Sequence, residues 1–194
     1  METSTYHHGD LRRAIIDAAL EAIRESSPAA VSLRDLARRA GVSHAAPAHH
    51  FGDKAGLLTA VAAQGFGLLG DVLQKAAGQP DGYLAVGVAY VGFAVEHRAH
   101  FEVMFRPELY HPDDPELLEA QARTSRMLYE GAAPYAQDGG TTPRDAALAA
   151  WSLVHGFASL WLSGNLPADL PADPQDAARR VARVLFPHKA GDNA

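Results

Sequence analysis

A run of small and imidazole side chains follows Gly41, with the sequence VSHAAPAHHF. Small side chains allow a helix to approach base pairs closely, and an alanine methyl can contact the methyl group of thymine. An imidazole can form hydrogen bonds with base edges or phosphates. We expect the exposed face of this run to consist of His44, Ala45, Ala46, Ala48 and His49. These residue types at this spacing predict contact with the major groove of duplex DNA.

A first short helix must support this run from the N-terminal side. Ser32 is the predicted N-cap of that helix, and Asp35 occupies the capping-box position three residues later. One apolar stripe follows at helical spacing, made of Leu33, Leu36, Ala37 and Ala40. Gly41 is predicted to end the helix with a positive φ.

A second short helix carries the run itself. We predict that it covers residues 44–50, with Ser43 as N-cap and Pro47 tolerated near the first turn. Phe51 should hold it against the preceding helix, and Asp53 can cap the next one. Two short helices joined by a tight turn are typical of a helix-turn-helix DNA reader, and the same capping and glycine pattern also occurs in helical hairpins of soluble bundles. We therefore expect further DNA contacts from two caps and two cations: Ser32, Ser43, Arg34 and Lys54.

Helical spacing of apolar residues continues along the chain, and no alternating strand pattern persists. In the segment before the pair, a core stripe is predicted at Ile16, Ala19, Leu20 and Ile23. The predicted helices outside the pair cover residues 9–25, 53–77, 82–97, 99–105, 113–136, 143–164 and 174–186. Prolines and glycines separate these segments. The pattern predicts an all-α fold.

The net charge of −6 is distributed unevenly. Residues 1–54 hold seven Lys/Arg and seven Asp/Glu, so the excess negative charge falls on residues 55–194. A neutral N-terminal part permits approach to DNA, where a few local contacts would supply the affinity. Cysteine is absent, which excludes disulfides and thiolate chemistry.

Membrane insertion is not expected from the sequence. The N-terminus lacks an apolar signal core. The longest stretch without polar side chains is Gly82–Val95, which is shorter than the roughly 20 residues of a membrane-spanning helix. We expect a cytoplasmic protein with no membrane partner.

Three motifs with catalytic or cofactor spellings occur in unsuitable contexts. Residues 65–70 spell GxGxxG, but they lie in a helical pattern without the strand that a dinucleotide site requires. Glu108 and His111 have ExxH spacing only once, between two prolines, and His97 and His100 lack an acidic partner helix. We therefore predict no enzyme activity, no cofactor and no metal site.

The chain resembles the TetR family of bacterial one-component regulators. The matching residues are Ser32, Leu33, Leu36, Ala37, Ala40, Gly41-Val42-Ser43, His50-Phe51, Asp53-Lys54 and Leu57-Leu58. Tyr6–Arg12 is similar to the start of the first helix in one branch, and Ala150–Gly156 looks like the WHG-type C-terminal domain of that branch. The family usually has a tyrosine that contacts the DNA backbone where this chain has Ala48, and His49 is the closest substitute.

The resemblance implies a two-part fold of about nine helices. A three-helix helix-turn-helix domain would cover residues 1–54, and a ligand-binding and dimerisation domain would cover residues 55–194. The last two helices would form a four-helix dimer interface through Trp151, Val154, Ala158, Trp161, Ala177, Val181 and Leu185. The ligand pocket would be lined by Tyr90, Phe93, Phe101, Met104, Phe105, Tyr129, Trp151 and His155.

In function, the resemblance implies a homodimeric regulator that binds a double-stranded DNA operator with pseudo-palindromic sequence. We expect a repressor that a small-molecule effector releases. One alternative is an all-α ligand-binding protein with weakened or lost DNA binding. Ala48 and the net negative charge of the chain favour this alternative. The other is a metal-dependent helical-bundle enzyme that would use His97, His100 and His111.

Overall fold

A computed structural model describes residues 4–79, 82–136 and 142–184. Within these ranges the chain forms nine α-helices, three short 3-10 turns and no strand. The helices are α1 (Ser4–Glu25), α2 (Leu33–Arg39), α3 (Ala46–Phe51), α4 (Lys54–Ala77), α5 (Gly82–Glu96), α6 (Arg98–Met104), α7 (Pro115–Ala132), α8 (Pro143–Leu162) and α9 (Pro174–Ala182). The all-α prediction is confirmed.

The starts of α8 and α9 follow from local sequence. Each begins at a proline, whose missing N–H is not needed in the first turn of a helix. Thr142 precedes α8 and accepts a hydrogen bond from the Asp145 N–H at 3.1 Å. Asp173 precedes α9 and accepts one from the Asp176 N–H at 2.9 Å. Side-chain caps of this kind replace the backbone partners that the first turn lacks.

Two compact units make up the chain, and neither is contiguous in sequence. The first contains residues 1–67 and 97–121, and the second contains 68–96 and 122–194. Segment 97–121, which includes α6, therefore belongs with the N-terminal helices. The functional division predicted between residues 54 and 55 stays a prediction.

The core of the first unit is built from α1, α2, α4 and α6. The predicted α1 stripe is buried, as are Leu36 on α2, Leu57 and Leu58 on α4, and Met104 on α6. The GxGxxG segment lies inside α4. A Cβ added at Gly65 would lie 2.6 Å from the Met104 Sδ atom. Gly65 therefore lets α4 and α6 pack closely.

In the second unit, α5 packs against α8 and α9. Leu84 and Val88 of α5 form a buried cluster with Ala182 of α9. A Cβ at Gly87 would lie 3.1 Å from Val154 Cγ1 of α8. The apolar α5 is thus covered by the last two helices of its own chain.

Among the described residues, one helix, α4, is long and apolar enough to cross a bilayer when judged by length and composition alone. The expectation from the sequence rested on the α5 segment only. In the most apolar 18-residue stretch of α4, 61% is buried inside the protein. The core helix of a protein can have the same length and apolar composition as a membrane-spanning helix. Helix α4 contributes the buried Leu57, Leu58 and Val61 to such a core.

Candidate functional site

The turn between α2 and α3 has the geometry predicted for Gly41. This glycine has a φ of +66°, which side chains with a Cβ rarely adopt. Its N–H donates to the Arg38 carbonyl at 3.3 Å, and the Val42 N–H donates to the Ala37 carbonyl at 2.9 Å. These two bonds form a Schellman motif, which ends α2 sharply and fixes the direction of the following turn.

Helix α3 begins at Ala46 rather than at His44, and its N-cap is Ala45 rather than Ser43. The reason is Pro47, which has no N–H to donate to the Ser43 carbonyl. That carbonyl instead accepts from the Ala46 N–H at 3.0 Å in a tight turn. The predicted start of the helix and the predicted cap at Ser43 are therefore wrong.

Ser32 occupies the N-cap position of α2 with extended backbone, but its side chain makes no capping hydrogen bond. Asp35 does not complete a capping box. It accepts hydrogen bonds from Arg38 Nη2 at 2.7 Å and from Arg39 Nε at 2.6 Å. These bonds, first from Arg39 and then from Arg38, lower the pKa of Asp35. The predicted capping box is wrong because charge-assisted bonds are stronger than neutral ones.

The outward face of α3 consists of Ala45, Ala48 and His49, all of which are exposed. They recur at i, i+3 and i+4 and therefore share one side of the helix. Ala46 is only 9% exposed, and Pro47 beside it is also buried. The predicted exposure of Ala46 is wrong, because this methyl packs into its own unit. His44 is exposed in the turn before the helix.

The end of α3 is held by a contact that sequence reasoning missed. The half-buried Phe51 lies beneath the Arg12 guanidinium, 5.5 Å from the ring centroid. Arg12 Nη2 also lies 4.0 Å from Glu116 Oε2. The sequence predicted that Phe51 anchors the helix, but nothing in residue spacing connects positions 12, 51 and 116. A cation over an aromatic face is attractive and orients both groups.

The junction of α3 and α4 follows the sequence prediction. Gly52 has a φ of +75° and ends α3. Asp53 Oδ1 then accepts from the Gly56 N–H at 2.8 Å and caps α4. This hydrogen bond is the main cause that lowers the pKa of Asp53, and the nearby His111 lowers it further. A negatively charged cap is favourable at the N-terminus of a helix.

The predicted cations differ in their surroundings. Arg34 is exposed on α2, close to the exposed Ser32. Lys54 is half-buried, and its Nζ donates to the Ala29 carbonyl at 2.5 Å. An ammonium group has three N–H donors, so this bond leaves Lys54 capable of further contacts.

In the second unit, three of the predicted ligand-pocket residues come together. Trp151 Nε1 donates to Tyr90 Oη at 3.3 Å, and Tyr90 Oη lies 2.8 Å from His155 Nδ1. Because an indole N–H only donates, the tyrosine oxygen accepts from it and can donate its own proton to the imidazole. Burial raises the pKa of Tyr90 and lowers that of His155. This trio is thus an uncharged polar group at neutral pH.

The other pocket candidates are divided between the two units. Phe101, Met104 and Phe105 belong to the first unit. There the rings of Phe101 and Phe105 lie 5.3 Å apart, centroid to centroid. Phe93 is buried in the second unit, and Tyr129 is exposed.

The predicted dimer contacts stay a prediction, but three of these residues are packed inside their own chain. Val154, Ala158 and Ala177 are at most 9% exposed. Apolar periodicity identified the packed faces of α8 and α9 correctly, but these faces cover α5. Trp151, Trp161 and Val181 are half-buried, and Leu185 lies outside the described residues.

A different face of α8 is open. It contains Leu148 and Leu160, which are 38% and 46% exposed. Ser152 and Gly156 lie between them at four-residue spacing, and a Cβ at Gly156 would have no neighbour within 4 Å. We call Leu148, Ser152, Gly156 and Leu160 the α8 stripe.

The histidines considered as metal ligands do not converge. The rings of His97 and His100 lie 5.8 Å apart, and His100 Nε2 contacts Gln64 Oε1 at 3.2 Å. His111 instead lies beside Asp53, with 3.5 Å between Nε2 and Oδ1. In the part of the chain that the structure describes, no three His, Cys, Asp or Glu side chains are grouped to hold a metal.

Two short helices, a Schellman turn and an exposed face of small residues define a helix-turn-helix DNA-binding protein. Residues 15–61 match the family model for bacterial regulatory proteins of the tetR family. Residues 83–185 match the model for the tetracyclin repressor-like C-terminal domain. The chain therefore belongs to the TetR family of DNA-binding transcriptional regulators. The WHG-type subtype stays a prediction.

Similarity to individual proteins agrees with this assignment. The HTH-type transcriptional regulator BetI of Rhizobium meliloti (strain 1021) is 42% identical over 72 residues, which is 36% of each chain. The match thus spans about a third of that curated relative. A protein with unknown function from Rhodococcus sp. RHA1 is 31% identical, with a TM-score of 0.75 and coverage of 94% of this chain and 97% of that one.

A further solved structure shares the fold. NalD, the secondary repressor of the MexAB-OprM multidrug efflux pump in Pseudomonas aeruginosa, is 24% identical, with a TM-score of 0.65. The similarity covers 94% of this chain and 96% of NalD.

Proposed function

We propose that this TetR-family regulator is a repressor that binds a pseudo-palindromic operator as a homodimer. The exposed face of α3, formed by Ala45, Ala48 and His49, carries the proposal. A helix surface without bulky side chains can enter the major groove deeply. The two-fold axis of a dimer would place one such face on each half-site.

The charge of the helix-turn-helix segment supports DNA as the partner. Residues 32–54 contain four Lys/Arg and two Asp/Glu, although the whole chain has a net charge of −6. Asp35 pairs with Arg38 and Arg39, Glu25 of α1 also pairs with Arg39, and Asp53 accepts from the Gly56 N–H. Arg34 and Lys54 then supply the positive charge that attracts phosphates. We assign phosphate contacts to Ser32, Arg34 and Lys54.

We place the dimer contact on the α8 stripe. Its two leucines are exposed, and its serine and glycine leave room for a second helix to approach. A pair of such stripes would pack across a two-fold axis and bury the same patch of each copy. The half-buried Trp161 is the aromatic candidate at the edge of this contact.

We further propose that a small molecule binds in the second unit and releases the operator. The Tyr90–Trp151–His155 trio supplies polar groups next to apolar α5, which is the composition expected of ligand sites. Release requires that the ligand bind more tightly to the DNA-incompetent state of the dimer than to the competent one.

We assign no catalytic step and no metal to this chain, and we propose a cytoplasmic location. Its relatives are transcriptional regulators, and His111 pairs with Asp53 whereas the rings of His97 and His100 contact each other.

One observation favours weakened DNA binding as a second candidate. Ala48 offers only a methyl group where the family usually has a tyrosine.

Footprinting of the purified full-length protein on its neighbouring promoter tests the first proposal. We expect a protected palindrome, and we expect Ala45→Glu to abolish protection because it would place a carboxylate against DNA. Ala122→Glu is the matched control, since Ala122 is an exposed alanine on α7. Equal binding by both variants, or no protected sequence at all, would contradict the proposal.

A further inference from the structure

The outward face of α3 is almost devoid of hydrogen-bonding side chains. Ala45 and Ala48 are exposed at i and i+3, and neither has a polar side-chain atom. Their carbonyls are used within the helix, because the His49 N–H donates to Ala45 O at 2.9 Å and the Gly52 N–H donates to Ala48 O at 2.8 Å. His49, at i+4, is the polar side chain of this face. His44 precedes the N-cap and lies outside the helix.

The face is also held rigidly at both ends. Gly41 and Gly52 fix the turns before and after it with φ values of +66° and +75°. The inward residues Ala46 and Pro47 are buried, and Arg12 covers Phe51. Methyl groups and an imidazole on such a support cannot adjust to many different sequences. Their chemistry should therefore be reflected in the bases that they contact.

Each group on the face has a preferred partner in the major groove. A methyl group contacts the C5-methyl of thymine favourably and offers nothing to a polar base edge. A neutral imidazole has one N–H donor, and guanine presents two adjacent acceptors, N7 and O6. Adenine presents a single acceptor beside an N–H donor. An imidazole donor therefore favours guanine.

We infer that His49 is the specificity-determining residue of α3 and reads one guanine per half-site, flanked by thymines whose methyl groups contact Ala45 and Ala48. This inference rests on the proposed function, since it specifies the bases of the same DNA contact. The positive charge of residues 32–54 supports nucleic acid as the occupant of this face.

Base analogues in a footprinted operator test the inference directly. Replacement of the contacted guanine by 7-deazaguanine removes the N7 acceptor but keeps base pairing. We expect it to weaken binding of the full-length protein by roughly 5- to 100-fold. The same substitution should have no effect on His49→Ala, because the partner of N7 is already missing. Deoxyuridine in place of the flanking thymines removes only methyl groups and should weaken binding of both proteins.

His111→Ala serves as the matched control, because it removes an exposed imidazole that lies outside residues 32–54. It should retain the response to 7-deazaguanine. The inference is overturned if binding by the unmodified protein is unchanged both by 7-deazaguanine, which lacks N7, and by exchange of that guanine for adenine, which replaces O6 by an N–H donor. It is also overturned if His49→Ala weakens binding equally on every sequence and lowers the salt dependence, which is the behaviour of a phosphate contact.

These outcomes are separate from failure of the proposed function. A protein that protects no sequence would disprove operator binding itself. If the protein protects a palindrome but neither 7-deazaguanine, nor adenine in place of that guanine, nor deoxyuridine changes its binding, operator binding is supported and the assignment of His49 to a guanine is wrong.

Discussion

At the scale of single residues, His100 is buried, with 4% of its surface exposed. Its Nε2 contacts Gln64 of α4, while Nδ1 has no hydrogen-bond partner in the described part of the chain. Burial is the main cause that lowers the pKa of His100 to about 4, and the nearby His97 and Arg24 lower it further. The folded protein therefore keeps this imidazole neutral at pH values where an unfolded chain would protonate it.

This shift makes folding sensitive to acid. Because the folded pKa is below the ordinary value of 6.5, the contribution to stability is complete above pH 6.5 and is lost as the pH falls towards 4. Over this pH range, we expect the free energy of unfolding of the unmodified protein to fall by up to about 3 kcal/mol more than that of His100→Leu. Urea unfolding of both proteins between pH 7 and pH 4 measures the difference.

His44→Leu is the control for this measurement, because the same substitution there removes an exposed histidine. It should lose stability with acid as the unmodified protein does. Parallel pH profiles for all three proteins would show that His100 is not the responsible group.

At the scale of elements, two glycines of α4 have opposite surroundings. A Cβ at Gly65 would lie 2.6 Å from Met104 Sδ and 3.1 Å from His100 Cβ, whereas a Cβ at Gly67 would meet nothing within 4 Å. Met104 is fully buried and cannot move aside freely. The same substitution at these two positions therefore separates packing from helix propensity.

We expect Gly67→Ala to stabilise the protein by about 1 kcal/mol, since alanine is the better helix former. Gly65→Ala should destabilise it, because overpacking typically costs about 1–3 kcal/mol. Thermal unfolding of the two variants checks this order. Equal stabilisation of both would mean that α4 and α6 are not packed as described.

Sequence patterns located most elements because apolar spacing and prolines are local signals. The predicted helix over residues 143–164 corresponds to α8, Pro143–Leu162. The start of α3 was misplaced by two residues, because the missing N–H of Pro47 decided it. The contact of Arg12 with Phe51 joins distant positions and leaves no periodic signal.

The candidate site was predicted unevenly for a related reason. Exposure of Ala45, Ala48 and His49 could be read from helical periodicity, whereas His44 is exposed in the turn before the helix. Periodicity could not determine whether an apolar face packs within a chain or between chains. Val154, Ala158 and Ala177 were therefore assigned to a dimer although they pack within their own chain.

At the scale of the whole molecule, the proposed dimer depends on the α8 stripe. Leu160→Glu should weaken the dimer at least about 100-fold, because a carboxylate would be buried without a partner. Leu118→Glu on α7 is a matched control, with 47% exposure against 46% for Leu160. Sedimentation velocity over a range of protein concentrations distinguishes monomer from dimer. Dissociation by Leu118→Glu alone would place the contact on α7.

Residues 97–121 belong to the first unit although residues 68–96 separate them from its N-terminal part, and this has a practical consequence for protein engineering. Val103, Met104 and Leu117 are buried there beside the N-terminal helices. A fragment cut after residue 67 would lack these side chains and expose the apolar surface that they cover. A chimaera that exchanges the second unit between relatives therefore needs two grafted pieces, with residues 97–121 kept from the parent that supplies α3.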